Sequence, residues 1–324
     1  MNLSKIRMNT KRLDTLVVGI SATALFDLGV ADRLFKSARQ SNPETAVEIY
    51  RQHMMENEEI LLQPGTGYPL VRALLGLNNY HLADEQPLVE VVVMSRNSSD
   101  TAIRVLNSIR HEGFKIERLA FTAGDAVVPY IDAFGVDLFL TTNPDDAQKV
   151  IDSRACAAAI VTAPPESAPK WHSDQVRIAF DGDAVLFDES SELVFKTQGI
   201  SIFHQEEDSK QDIPLEEGPY ANLLRKLSHL QQRLKGRGER QLVRIALVTS
   251  RGSPAEMRVI KTLRHWGICV DESFFLGGAR KERVLTVFNP HIFFDDQMVH
   301  LEPASKVVPA GRVPYPINSP LNDD

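Results

Sequence analysis

The sequence predicts an α/β protein of two Rossmann-like halves, each built on a parallel sheet. Three observations predict it: a long-range internal repeat, continuous apolar runs of strand length, and helical periodicity between those runs. When 91–143 is slid by 154 positions it lies on 245–297 without a gap. Val91-Val92-Val93-Met94-Ser95 then meets Ile245-Ala246-Leu247-Val248-Thr249, and Ile109-Arg110-His111-Glu112-Gly113 meets Leu263-Arg264-His265-Trp266-Gly267. Leu138-Phe139-Leu140 meets Ile292-Phe293-Phe294, and upstream Val17–Asp27 matches Ile178–Asp188, both ending Leu-Phe-Asp. Apolar runs of this kind suit strands buried on both faces, and strand–helix–strand alternation implies parallel pairing with right-handed crossovers.

In chain order, residues 1–15 read as an N-terminal tail. Lys5, Arg7, Lys11 and Arg12 precede the short apolar run Leu16–Ile20, and Ala22-Thr23-Ala24 follows, as in a signal peptide. Asp14 interrupts that pattern and Leu25-Phe26 continues as a structural segment, so a cytoplasmic protein is expected. The first half spans 16–165 and the Pro-rich stretch Ala163 to Pro169 is its linker to the second, 174–302. In each half a strand (Val91–Met94; Ile245–Val248) leads to a helix with apolar positions Ile103, Leu106, Ile109 or Met257, Ile260, Leu263. Gly113 and Gly267 end those helices. Further strands follow at 119–121 and 136–140, and at 273–276 and 292–294. The charged stretch 198–240 breaks the alternation and reads either as a helical cap over a site or as a solvated insertion. Residues 303–324 read as a surface tail.

With 43% hydrophobic residues the chain can bury a large core, and a net charge of −7 with a pI near 5.8 argues against nucleic-acid binding. No segment approaches the roughly 20 apolar residues of a membrane span. Cys156 and Cys269 lie in no metal-ligand spacing and read as core thiols of a reducing compartment.

The two copies differ in their charges. The second carries Asp181, Asp183, Thr249, Lys281, Asp295 and Asp296; the first has Ile20, Ala22, Ser95, Val127, Thr141 and Thr142 at the matching places. Core packing makes no such distinction. Taken alone, Asp181-Gly182-Asp183 is also a turn signal, Asp295-Asp296 a solvated turn and Lys281 a surface lysine. Taken together, they are acids trailing separate strands, and ligands of open α/β sheets bind beyond the strands' carboxyl ends. Carboxylates gathered there repel one another unless a cation intervenes, and oxygen-only ligands suit Mg²⁺.

Asp181-Gly182-Asp183-Ala184-Val185, Thr249, Lys281 and Asp295-Asp296 together resemble the haloacid dehalogenase superfamily. Phe180–Phe187, Leu263–Gly267, Pro290–Gln297 and Val313-Pro314-Tyr315 resemble the cytosolic type I, AMP-preferring 5'-nucleotidases. Asp188 follows Phe187 at once where animal members carry an extra serine, and Ser250-Arg251-Gly252 stands where they have an Ala-Arg-Ser run. The resemblance implies a haloacid-dehalogenase-like C-terminal half and Mg²⁺-dependent hydrolysis of nucleoside 5'-monophosphates. It implies Asp181 as nucleophile, Asp183 as acid and base, and Thr249 and Lys281 on the phosphate with Gly182 and Ser250. The metal ligands implied are Asp181, the Asp183 carbonyl and one of Asp295 or Asp296. Ser95, Arg96 and Asn97 are candidates to line the substrate cleft, or else polar loop residues facing water. Another small phosphomonoester as substrate, or a non-catalytic nucleotide sensor, are the alternatives, and a homo-oligomer is compatible with either.

Overall fold

The computed structural model describes residues 14–161, 163–165 and 175–323. Lys5, Arg7, Lys11, Arg12 and linker positions 166–169 lie outside the described residues. The first part of the chain contributes β1 (Leu16–Ile20), β2 (Val89–Ser95), β3 (Arg118–Phe121), β4 (Leu138–Thr141) and β5 (Ala157–Val161). The second contributes β6 (Val176–Phe180), β7 (Val243–Thr249), β8 (Glu272–Phe275), β9 (Ile292–Asp295) and β10 (Ala310–Arg312). They form one 10-stranded sheet rather than two, in the order β8-β7-β6-β9-β10-β5-β4-β1-β2-β3. Read outward from the junction, β5-β4-β1-β2-β3 and β10-β9-β6-β7-β8 follow the same order. Pairing is parallel throughout except between β10 and β5, which are antiparallel.

That junction is made by the segment expected to be a surface tail. Gly311 pairs with Val161, and Ala310 and Val313 are buried. A Cβ at Gly311 would meet Ala159 Cβ at 3.0 Å and Phe294 at 3.2 Å, so the closing strand needs a residue without a side chain. Proline and polar composition hid a strand only three residues long.

Register also corrects the match between copies. Ile20 pairs with Val93 as Phe180 pairs with Leu247, and Ser21 N–H donates to Leu140 as Asp181 N–H donates to Phe294, both at 2.8 Å. Ser21 and Thr23, not Ile20 and Ala22, therefore stand where Asp181 and Asp183 stand. The turn after β6 is one residue longer than the turn after β1, and a gapless match through Leu-Phe-Asp hides that difference. In the first copy hydroxyls replace carboxylates and satisfy one another: Thr23 Oγ1 is 2.5 Å from Thr142 Oγ1 and 3.1 Å from Ser21 Oγ. Such a cluster needs no cation.

After β1 comes a hairpin of helices, α1 (Gly29–Ser41) and α2 (Pro43–Glu56), then α3 (Tyr68–Gly76). α4 (Ser99–His111) and α5 (Pro144–Ser153) follow, capped by the Ser98 hydroxyl and the Asn143 carboxamide, with the single turn Ile131–Phe134 between them. After β6 come another hairpin, α6 (Ser190–Gln198) and α7 (Ile200–Ser209), and then α8 (Ala221–Leu234). α9 (Glu256–His265), α10 (Lys281–Phe288) and α11 (Met298–Ser305) follow. Gly113 and Gly267, at φ 67° and 69°, end α4 and α9 as their sequence predicts. The stretch 198–240 is not one insertion. α8 buries Leu223, Leu224, Leu227, Leu230 and Leu234 and packs on both β7 and β1, so it belongs to the shared core. α6 and α7, beginning at Ser190, pack on each other, on the turn after β6 and on α9.

Gly218 closes the loop that leads from that hairpin back to the sheet. A Cβ there would lie 2.2 Å from the Phe187 carbonyl oxygen and 2.7 Å from that of Val185. Both are backbone atoms of the turn after β6, and neither can swing aside as a side chain can. Gly218→Ala is expected to destabilise the protein by about 3 kcal/mol, the upper range for overpacking. Calorimetric melting checks this; a shift of less than a degree would show that the loop accommodates the methyl group.

Candidate active site

β7, β6 and β9 are adjacent and parallel, so Thr249, Asp181 and Asp295 leave the sheet at one edge, each at or just beyond a strand's carboxyl end. Asp181, Asp295 and Asp296 are all buried, and one carboxylate oxygen of each lies within 4.8 Å of the others. Lys281, in the first turn of α10, is 1% exposed and fills the space between two of them. Its Nζ donates to Asp295 Oδ2 at 2.7 Å. It also lies 2.8 Å from Asp181 Oδ1, a close charge pair.

Three acids and one ammonium leave a negative excess in a buried pocket. Burial pushes the Asp181 carboxyl up to about 6; Lys281 opposes this, while the charges of Asp295 and Asp183 add to it. Asp295 is raised by burial against the pull of Lys281, and Asp296 is raised well above the carboxylate range by burial and by its two acidic neighbours. Burial alone would lower Lys281, but Asp181 and Asp295 outweigh it and hold the ammonium above its ordinary value. Among the described residues the buried Asp296 Oδ1 has no hydrogen-bond donor, and Asp181 Oδ1 has only the Lys281 ammonium beside it. A bare, buried carboxylate oxygen is costly. Three such carboxylates, with no nitrogen or sulfur donor among them, fit a hard divalent cation.

The turn between β6 and α6 shapes the rest. Asp183 is extended at φ −67° and ψ 141°, and Ala184 is left-handed at φ 58°. A non-glycine residue there is strained, and such strain persists where the surroundings hold it. Here Ala184 N–H donates to Asp188 and Phe187 N–H to Gly182. A Cβ at Gly182 would sit 3.3 Å from Thr249 Oγ1, so glycine keeps backbone and hydroxyl close. Ser250 Oγ is 3.2 Å from His300 Nε2. Burial, aided by Lys281, holds that imidazole below its ordinary value.

Ser95, Arg96 and Asn97 are not brought to this place. They end β2, six strands along the sheet from β6 and across the antiparallel junction. Ser95 donates to Asn97, Asn97 to Tyr50, and Arg96 pairs with Asp146. They line a different region, because reversing the strands at β10–β5 turns the two sets of carboxyl ends away from each other.

Several side chains at the site escaped sequence reasoning. Arg251 grips Asp183 with Nε and Nη2 at 2.8 and 2.6 Å and also pairs with Glu207 on α7. Tyr315 donates to Asp296. Glu192 on α6 accepts from Gln297 at 3.0 Å, and burial, with the charges of Asp183 and Asp181, pushes its carboxyl up to about 7. Glu207 sits in the run Glu206-Glu207-Asp208, which reads as solvated. Its spacing of four from Phe203, also buried, is the available signal that it turns inward.

A family model described as 5'-nucleotidase matches residues 8–320. Human cytosolic 5'-nucleotidase 1B is 33% identical over 303 residues, which cover 92% of this chain and 48% of that protein. The chain thus spans about half the length of the curated relative it matches. No solved structure matches.

Proposed function

The chain belongs to the cytosolic 5'-nucleotidase family, and we propose that it hydrolyses nucleoside 5'-monophosphates such as AMP to nucleoside and phosphate. The observation that carries this reading is the buried Asp181–Asp295–Asp296 cluster beside Lys281 and Thr249. The cation is proposed to be Mg²⁺, held by Asp181, the Asp183 carbonyl and Asp295 or Asp296, and it supplies charge neutralisation at the phosphoryl group. The fold reading that goes with it is a haloacid-dehalogenase-like C-terminal half with α6–α7 as its cap. The relative's name includes "cytosolic", and a cytoplasmic setting is proposed here too. Among the described residues no helix is long and apolar enough to cross a membrane.

In this mechanism an Asp181 oxygen attacks phosphorus in line, and the bond from phosphorus to the 5'-oxygen breaks. Asp183 delivers a proton to the departing 5'-oxygen, leaving free nucleoside and an aspartyl phosphate. Asp183 then takes a proton from water, the resulting hydroxide attacks phosphorus, and the Asp181 carboxylate departs. Lys281, Thr249 Oγ1 and the backbone amides near Gly182 and Ser250 hold the equatorial oxygens as charge develops. Burial of the acids keeps bulk water from competing for these donors.

Phosphate release from AMP, IMP, CMP, their deoxy forms and a set of sugar phosphates, with and without Mg²⁺, tests the proposal. Turnover of nucleotides only with the metal is expected. A preference for non-nucleotide esters, or turnover unaffected by chelator, would overturn it.

A further inference from the structure

The geometry points to Arg251 as a positioning residue that aims Asp183 and ties it to the α6–α7 hairpin; this rests on the assignment of Asp183 to proton transfer. Arg251 is 4% exposed and lies two residues beyond Thr249. Its backbone is fixed by N–H donation to Thr249 Oγ1 at 3.2 Å and by its carbonyl accepting from Gly277 at 3.1 Å. Each Asp183 oxygen accepts from this guanidinium, Nε to Oδ2 and Nη2 to Oδ1, through one lone pair, which leaves the second lone pair of each for proton transfer. A two-point grip fixes the plane of a carboxylate as well as its place.

The third nitrogen reaches backward. Arg251 Nη1 pairs with Glu207, which is 2% exposed and is itself held by Arg258 Nη1 and Ser191 Oγ, each at 2.9 Å. The Phe203 ring lies under the guanidinium at 5.3 Å. Burial would lower Arg251, but Asp183 and Glu207 outweigh it and hold it charged. Two carboxylates from different elements therefore share one arginine: one on the catalytic turn, one on the hairpin. Arg251 is the mechanical link between them.

Proton delivery is sensitive to displacements of an ångström or less. It matters when the leaving group is an alkoxide, and little when the leaving group is stable without a proton. AMP and its isosteric analogue with sulfur in place of the bridging 5'-oxygen make that comparison, since the thiolate leaves unprotonated. Arg251→Lys keeps the charge and loses the planar fork. We expect kcat on AMP to fall about thirtyfold or more, within the range general acid catalysis supplies, with KM and kcat on the thiolate ester changed less than about threefold. Asp183→Asn is expected to show the same selectivity with a larger loss. Glu207→Gln, which loosens the fork from behind, is expected to show it with a smaller one.

A folded Arg251→Lys protein that loses both esters equally, or loses neither, overturns the inference while leaving the Asp183 assignment intact. No ester selectivity in Asp183→Asn overturns the assignment itself. If Arg251→Lys fails to fold, Glu207→Gln makes the same comparison, and equal rates on AMP for it and the unmodified protein overturn the inference.

Discussion

Replacing Asp181 by Asn is expected to lower phosphate release from AMP by about 10⁴-fold or more, the scale on which removal of a covalent nucleophile acts. The substitution is nearly isosteric, so little packing is disturbed. Its effect on stability has the opposite sign. In the metal-free protein the Asp181 carboxyl titrates near 6, above the ordinary value near 4, because burial disfavours its charged form. Two units correspond to about 3 kcal/mol of unfavourable charge once pH exceeds both values. A neutral amide lacks that cost, while Lys281 keeps Asp295 as partner at 2.7 Å. Without metal and near pH 8, the Asn variant should melt no lower than the unmodified protein, and higher if the whole cost of burying the charge is relieved. Phosphate assays paired with calorimetry read both signs. Retention of a substantial share of turnover would remove Asp181 from the nucleophile's role.

How legible this protein was in its sequence depended on the physical nature of each signal. The apolar runs at Val91–Met94 and Ile245–Val248 are long, and the glycines after their helices have a conformational reason to be there, so these elements read directly. β10 did not. Three residues with one glycine carry no periodicity, and only pairing with β9 and β5 makes them a strand. The edge-to-edge joining of ten strands is a long-range fact that local patterns do not contain. In the site, Asp181, Thr249 and Asp295 announce themselves as polar residues at the ends of apolar runs, while Lys281 opens a helix and is recognised only in their company. Arg251 and Glu207 are less legible: Arg251 stands in a small polar loop and Glu207 in a charged run, and only the fold decides which of Glu206, Glu207 and Asp208 turns inward. Ser95, Arg96 and Asn97 show the converse error. Repetition in sequence suggests one shared cleft, while the antiparallel junction sends the repeated loops elsewhere.

The second large effect is expected at Lys281. Lys281→Met keeps the apolar stem, which runs past the Phe293 ring with Nζ 5.8 Å from its centre, and removes the charge. The remaining carboxylates then have no ammonium, and loss of one partner from a buried ionic cluster costs about 3–5 kcal/mol. For a chain of this size that is a fall in melting temperature on the order of 10 °C. The pH dependence separates this from a packing defect. Lys281 is held above its ordinary value, so its stabilisation is fully present below about 10 and contributes no slope near neutrality. The slope there belongs to the acids. Asp181, with a folded value near 6 against an unfolded value near 4, binds more protons when folded, so metal-free stability falls as pH rises through that window. Asp295 and Asp296 are raised as well and carry the same sign. Removing Lys281 takes away the charge that holds these groups down, so their protons are kept to higher pH. The deficit of the Met variant should therefore be largest near pH 8 and shrink near pH 5, where the acids are neutralised by protons instead. A divalent cation competes for the same oxygens, so Mg²⁺ should raise the melting temperature more near pH 8 than near pH 5. Calorimetry at both pH values, with and without the metal, reads all of these together. An equal deficit at the two pH values would mean that Lys281 only fills space, and that the three carboxylates are not the charged cluster on which the metal site depends.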